Sequence, residues 1–156
     1  MFTHAPDGYV CPFCVFLAGK DDGVNRSSDI IYQNDFATAF VGPRWWSHNP
    51  GSVIVIPNLH YENIYMISDT ALSETYRLVK KVAVAIREVY GCDGTSTRQH
   101  NEPAGDQLVW HLHVHVYPRY VNDGFYHNSG KIDTVDPKIR AQFAEKLRTY
   151  FAKHYH

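Results

Sequence analysis

The sequence predicts one α+β domain spanning residues 1–156. Three observations predict it: a β-branched run, "SVIVIP" (52–57); a long stretch of helical periodicity after it; and a second strand-like run, "QLVWHLHVHVYP" (107–118), followed by another helical pattern. Strands on either side of one long helix, with a further helix near the C-terminus, belong to that fold class.

Each element has its own reason. "AGKDDGVNRSSD" (18–29) is polar and rich in Gly and Ser, and reads as a surface loop. "IIYQND" and "ATAFVG" read as two short strands turning at Asn34-Asp35. "SVIVIP" is a buried strand that Pro57 ends. Leu72, Tyr76, Val79, Ala83, Ile86 and Tyr90 then recur every three or four residues, as one apolar stripe on a helix. Ser68 or Asp69 can cap its start and Gly91 its end. A second helix is expected after Asp136-Pro137, with Ile139, Phe143, Leu147 and Tyr150 on one face.

Composition narrows the function. A net charge of -1 argues against a nucleic-acid binder that works by neutralising many phosphates, yet permits a small anionic ligand. "MFTHAPDGYVCPFC" lacks a basic start followed by an apolar run, and no apolar segment approaches bilayer-spanning length. Three cysteines do not make a secreted disulfide scaffold. A cytoplasmic protein with no membrane partner is expected.

Three imidazoles in strict alternation, His111, His113 and His115, dominate the second strand-like run. In a strand they share one face, while Leu112, Val114 and Val116 take the other. A histidine-rich solvent face accounts for one or two of them better than for three. A single metal ion meets a geometric limit, because same-face neighbours sit roughly 7 Å apart and the outer pair roughly 13 Å. Catalysis is the third reading. Neutral imidazole is a nucleophile near pH 7, its unperturbed pKa being about 6.5, and needs only its other nitrogen held by a hydrogen bond. A phosphate attacked by the middle histidine gives a phospho-histidine that water then resolves.

"HLHVHV" followed by "PRY" resembles the motif of the histidine triad family. "VIVIPNLHYENIY", "CPFC", the intervening helix and "NEPAGDQLVW" fall in the same order as in that family, so the resemblance runs from about residue 9 to 120. It implies an antiparallel sheet with one long helix and a C-terminal helix, and a homodimer. It also implies hydrolysis of a small nucleotide, either a dinucleoside polyphosphate or a nucleoside phosphoramidate, to a nucleoside monophosphate through a nucleotidyl-histidine. By position, His113 is then the nucleophile, His115 and Gln107 contact phosphate and leaving-group oxygens, and Asn101 supports the phosphate loop.

Cys11 and Cys14 form a Cys-x-x-Cys that by itself fits a redox pair, a zinc half-site or two unrelated thiols. The redox reading expects a helix starting at the motif within a βαβ unit, which "CPFCVFLAGKDDG" supports poorly. The resemblance implies a structural zinc held by Cys11, Cys14, His60 and His111, freeing His113 and His115 for phosphate. Cys92 is expected to be a packed or exposed thiol, and His100 and His127 surface residues.

The sequence departs from the family pattern at three places, one of them Gly51-Ser52, where a Gly-His pair is usual, with His48 nearby. Gly42 stands where a ribose-binding polar residue is usual, and Asp106 precedes Gln107 where glycine is usual. Trp45 and Trp46 either stack on a base or belong to a core or dimer cluster. Pro118 is expected to stop the ladder, and Arg119 reaches phosphate or only water. Gly42 and Asp106 motivate a rival, a zinc-stabilised nucleotide- or partner-binding protein with vestigial catalysis. A metal-dependent hydrolase ranks third.

Overall fold

In the computed structural model of the protein, which describes residues 3–20, 22–127 and 132–155, the chain alternates strands and helices. Its elements are α1 (Pro12–Leu17), β1 (Ile30–Gln33), β2 (Ala37–Val41), β3 (Arg44–Trp46), β4 (Val53–Pro57), α2 (Asp69–Tyr90), β5 (Gly94–Gln99), β6 (Val114–Arg119), β7 (Ile132–Thr134) and α3 (Pro137–His154). Five strands pair antiparallel in the order β1-β2-β4-β6-β5, and β3 pairs with β7 in a separate ribbon.

β2 and β4 are buried along their whole length because both faces of the sheet are covered. On one face Ala37, Ala39, Val41, Val53, Val55, Leu112, Val114 and Val116 meet the buried sides of α2 and α3. On the other, Phe40, Ile54 and Ile56 meet Phe13 and Phe16 of α1. The short N-terminal helix therefore roofs one end of the sheet, and the rest of that face carries the histidines.

α2 begins at Ser68, whose hydroxyl accepts the Ala71 amide, and ends at Gly91 in the left-handed conformation (φ 63°). Its buried stripe is Ala71, Thr75, Leu78, Val79, Val82, Ala85 and Ile86, turned from the expected one; Tyr76 faces solvent. The Thr75 hydroxyl is satisfied within the helix by the Ala71 carbonyl, so a nominally polar residue packs inside. α3 is rotated similarly. Arg140, Ala144, Leu147 and Phe151 are buried, and Ile139 is exposed. Arg140 is buried because it forks onto Asp29 (Nη2 to Oδ2 2.8 Å, Nε to Oδ1 3.1 Å), so the polar 18–29 segment turns inward at its end.

The hairpin at Asn34-Asp35 forms as expected, the Asn34 side chain accepting from the amides of Phe36 and Ala37. Two expectations need correction. Pro118 does not stop the ladder: β6 pairs with β5 through Arg119, its Pro118 opposite Thr95. Conversely, only the second half of 107–118 is strand, because the β4–β6 ladder ends at Val55 opposite Val114. Beyond it the Leu112 amide bonds to the Tyr61 carbonyl at 2.6 Å, which keeps Leu112 in the core and His111 and His113 on the opposite side. Among the described residues no helix is long and apolar enough to cross a membrane.

Candidate functional site

His111, His113 and His115 do share one side of the sheet, but they enter different surroundings. His111 is fully buried, His113 nearly so, and His115 half-buried. The rings of His113 and His115 lie edge to face at 5.1 Å, and His115 stacks on Tyr117 at 5.5 Å.

His111 turns toward the cysteines. Its Nδ1 lies 3.4 Å from Cys11 Sγ and 3.7 Å from Cys14 Sγ, and Cys14 Sγ lies 3.3 Å from His60 Nδ1. The four ligand atoms all fall within 4.8 Å of one another. A zinc tetrahedron with sulfur at about 2.3 Å and nitrogen at about 2 Å separates S from N by about 3.6 Å, so this donor set fits a metal. His111 Nε2 donates to the Pro57 carbonyl at 3.0 Å, which fixes the tautomer that presents Nδ1 to the sulfurs. Burial and the neighbouring Cys11 push the Cys14 thiol up to about 11. α1 does start at the motif, against expectation, because Pro12 suits its first turn. Among the described residues no strand precedes it, so the βαβ redox context is lacking.

His113 faces a different task. Its Nδ1 bonds to the His111 carbonyl at 2.7 Å. A carbonyl only accepts, so Nδ1 carries the proton and Nε2 keeps its lone pair. Burial pushes the pKa of His113 below its ordinary value, and burial, then His113, His100 and Arg98, does the same for His115. Both imidazoles are neutral near pH 7, the form required of a nucleophile.

The loop before the triad is held by its own amides. Gln107 is buried; its Nε2 donates to the carbonyls of Glu62 (2.5 Å) and Val109 (2.9 Å), and its Oε1 accepts from the Glu102 amide. Asn101 Oδ1 accepts from the Ile64 amide at 2.9 Å and from Gln99. Asp106 is exposed and adopts the left-handed conformation (φ 65°).

Two residues of the site escaped the sequence reading. His100 is not a free surface residue: its Nδ1 bonds to the Gly105 carbonyl at 2.6 Å and it acts electrostatically on His113 and His115. Arg98 stands directly across the β5–β6 ladder from His115. Neither signal was available from "GTSTRQH", which lacks hydrophobic alternation.

The two tryptophans are packed. Trp45 is buried against Phe143 and donates to the Gly42 carbonyl at 2.7 Å, and Trp46 packs on Phe125. Gly42 has a packing reason: a Cβ there meets Ile54 at 3.3 Å. Arg119 is held by Asp123 (2.7 Å) and Ser96. Cys92 is a packed thiol, 3.1 Å from the Gly94 carbonyl, and His127 is exposed.

Comparison with known proteins agrees with this geometry. The HIT domain profile matches residues 24–122. The chain belongs to the HIT family. Protein hit of Bacillus subtilis is 33% identical to this HIT protein over 116 residues, 74% of this chain and 75% of that one. An adenylylsulfatase of Arabidopsis thaliana is 25% identical over 113 residues, 72% of this chain and 54% of that protein. A bis(5'-nucleosyl)-tetraphosphatase of Schizosaccharomyces pombe is 27% identical over 92 residues, 59% and 50%. Among solved structures, a Hit-like protein from Bartonella henselae superposes with a TM-score of 0.73 at 25% identity, covering 94% of this chain and 98% of that one. A zinc-bound histidine triad protein from Mycobacterium smegmatis gives 0.72 at 22% identity, covering 92% and 94%. The solved structures share this fold, and proteins named as hydrolases are among the sequence relatives.

Proposed function

We propose that this HIT protein hydrolyses a small nucleotide at its α-phosphorus through a covalent nucleotidyl-histidine. The single observation that carries the reading is the 2.7 Å bond from His113 Nδ1 to the His111 carbonyl, which leaves Nε2 as the attacking atom. Nε2 forms a bond to phosphorus as the bond to the leaving group breaks. The leaving group departs with the electron pair. Water then attacks the same phosphorus, restores neutral His113 and releases a nucleoside monophosphate; its second proton ends on the leaving group or in solvent. A dinucleoside polyphosphate and a nucleoside phosphoramidate both suit this chemistry. The relatives named as a tetraphosphatase and an adenylylsulfatase support the nucleotide class.

His115 contacts the phosphate oxygens beside the nucleophile. Asn101 and Gln107 hold the loop that receives the phosphate, and Gln107 reaches the oxygens itself when one of its two backbone acceptors is exchanged for them. Cys11, Cys14, His60 and His111 hold a structural zinc ion, as the zinc-bound M. smegmatis structure encourages. A zinc ion there supplies a cross-link with four protein ligands and no open position for substrate. The protein works as a cytoplasmic homodimer.

Intact mass spectrometry after brief mixing with an adenylate phosphoramidate or a dinucleoside tetraphosphate, quenched without acid, tests the chemistry. Wild type gains an adenylate mass or releases AMP, and His113→Ala, still folded, does neither. Full turnover by His113→Ala would falsify the reading. Binding without release from either donor selects the non-catalytic binding protein instead.

A further inference from the structure

The active face of the sheet carries two arginines, and they are treated differently. Arg119 is neutralised: its guanidinium forks onto Asp123 and reaches Ser96, and Asp123 is held well below the usual carboxylate range by that contact. Arg98 has no such partner. Among the described residues its guanidinium donates no hydrogen bond and meets no carboxylate. It lies over aromatic rings, 4.3 Å from the centre of Phe125, 5.2 Å from Tyr126 and 5.8 Å from Tyr117, the first two of which Arg119 also meets. Ring contacts use the flat face of a guanidinium and leave its five N–H donors at the edge unspent.

The position of that charge is set by the ladder. Arg98 is the cross-strand partner of His115, and residues so paired share a face with Cβ atoms about 5 Å apart. Tyr117, which stacks on His115, is one of the rings beneath Arg98. A rigid, uncompensated cation thus stands one strand beyond His115, on the side away from the Cys11–Cys14–His60–His111 cluster.

We propose that Arg98 is a specificity-determining residue that binds the leaving group, and that it selects nucleotides whose leaving group departs as an oxyanion. The inference rests on the hydrolase reading above. When the bond from phosphorus to a bridging oxygen breaks, the electron pair goes to that oxygen, and a phosphate chain or sulfate leaves with one more negative charge. A guanidinium beside it meets the charge as it develops. When a phosphorus–nitrogen bond breaks, the nitrogen takes a proton and leaves as an amine. Arg98 has nothing there to neutralise.

The test is a ratio of kcat/KM values for wild type, Arg98→Gln and Arg98→Lys. Three adenylates are compared: diadenosine tetraphosphate, adenylyl sulfate and an adenosine phosphoramidate with an uncharged amine. Arg98→Gln lowers the oxyanion-to-amine ratio about 10- to 100-fold, the usual worth of a charge-assisted hydrogen bond, and Arg98→Lys restores part of it. The first two substrates, measured separately, show whether phosphate chain or sulfate is the group held. Equal losses on all three substrates reduce Arg98 to a support for Phe125 and Tyr126, and overturn the proposal. So does an unchanged ratio, or a wild type that cleaves only the phosphoramidate. A wild type inactive on all three is a different failure, because it refutes the hydrolase reading itself before any variant is measured.

Discussion

His111 and His113 are two residues apart in one segment and end in opposite kinds of surroundings. His111 is sealed beneath α1 with two sulfurs within 3.7 Å of its Nδ1 and Phe13 against its ring. His113, which Phe13 also meets edge-on, lies beside His115, whose cross-strand partner is Arg98. One half of the histidine row is closed and built from soft donors. The other is open at His115 and electropositive. A repeated residue type therefore reveals little about role; the ring nitrogen that each histidine commits to a backbone carbonyl decides which nitrogen it presents to its surroundings.

Removing the proposed zinc ion is the strongest way to separate the halves. Zinc held at 1,000 times its Kd stabilises the fold by about 4 kcal/mol, so Cys11→Ala, with no bound zinc by elemental analysis, melts about 10 °C lower. Brief chelation of wild type lowers the melting temperature and slows early turnover only in part, as far as the loosened His111 misaims His113. Instant loss of turnover with the fold unchanged would show that the closed half does chemistry, and would break the distinction.

Acid pH probes the open half. The unfolded chain protonates His115 near pH 6.5, whereas the folded chain, with the half-buried ring desolvated beside His113, His100 and Arg98, accepts that proton only at much lower pH. The stability tied to neutral His115 is complete above pH 6.5 and declines as the pH falls below it. Melting curves between pH 8 and 5 record a decline that His115→Asn makes shallower. Identical slopes for both proteins would remove His115 from the account.

The smallest effect concerns the loop that leads into the triad. Asp106 holds a left-handed conformation with its side chain in solvent, so Asp106→Gly relieves backbone strain and gains about 0.5–1 kcal/mol in denaturant titrations. A loss instead would mean that the carboxylate has a structural partner worth more than the strain.

Much of the closed half was legible in the sequence. Cys-x-x-Cys, His60 and His111 are chemically distinctive and converge as the family resemblance implies. The open half was less so. β5, "GTSTRQ", is the edge strand, is partly solvated along its length and carries Arg98 next to its end, so it lacks the apolar alternation that would mark it as a strand. The β3–β7 ribbon pairs residues that are far apart in the chain and individually too short to register as strands. On α2 and α3 the helices were evident but their inward faces were not, because Thr75 and Arg140 bury polar groups whose partners, the Ala71 carbonyl and Asp29, only the fold supplies. Tyr76 drew the expected stripe the wrong way by counting as apolar.

His111 gives its side chain to the cysteine cluster and its carbonyl to His113. Mutational effects at the two sites are consequently coupled without any shared substrate contact. On the proposed mechanism a lesion at Cys11 loosens the residue that aims His113, and in a protein already lacking His113 that loss of aim has nothing left to affect in turnover. The double variant is then no less active than His113→Ala alone, while its stability loss remains in full. A genetic screen scored by activity would class Cys11 and Cys14 with the catalytic residues, and only a stability readout would set them apart.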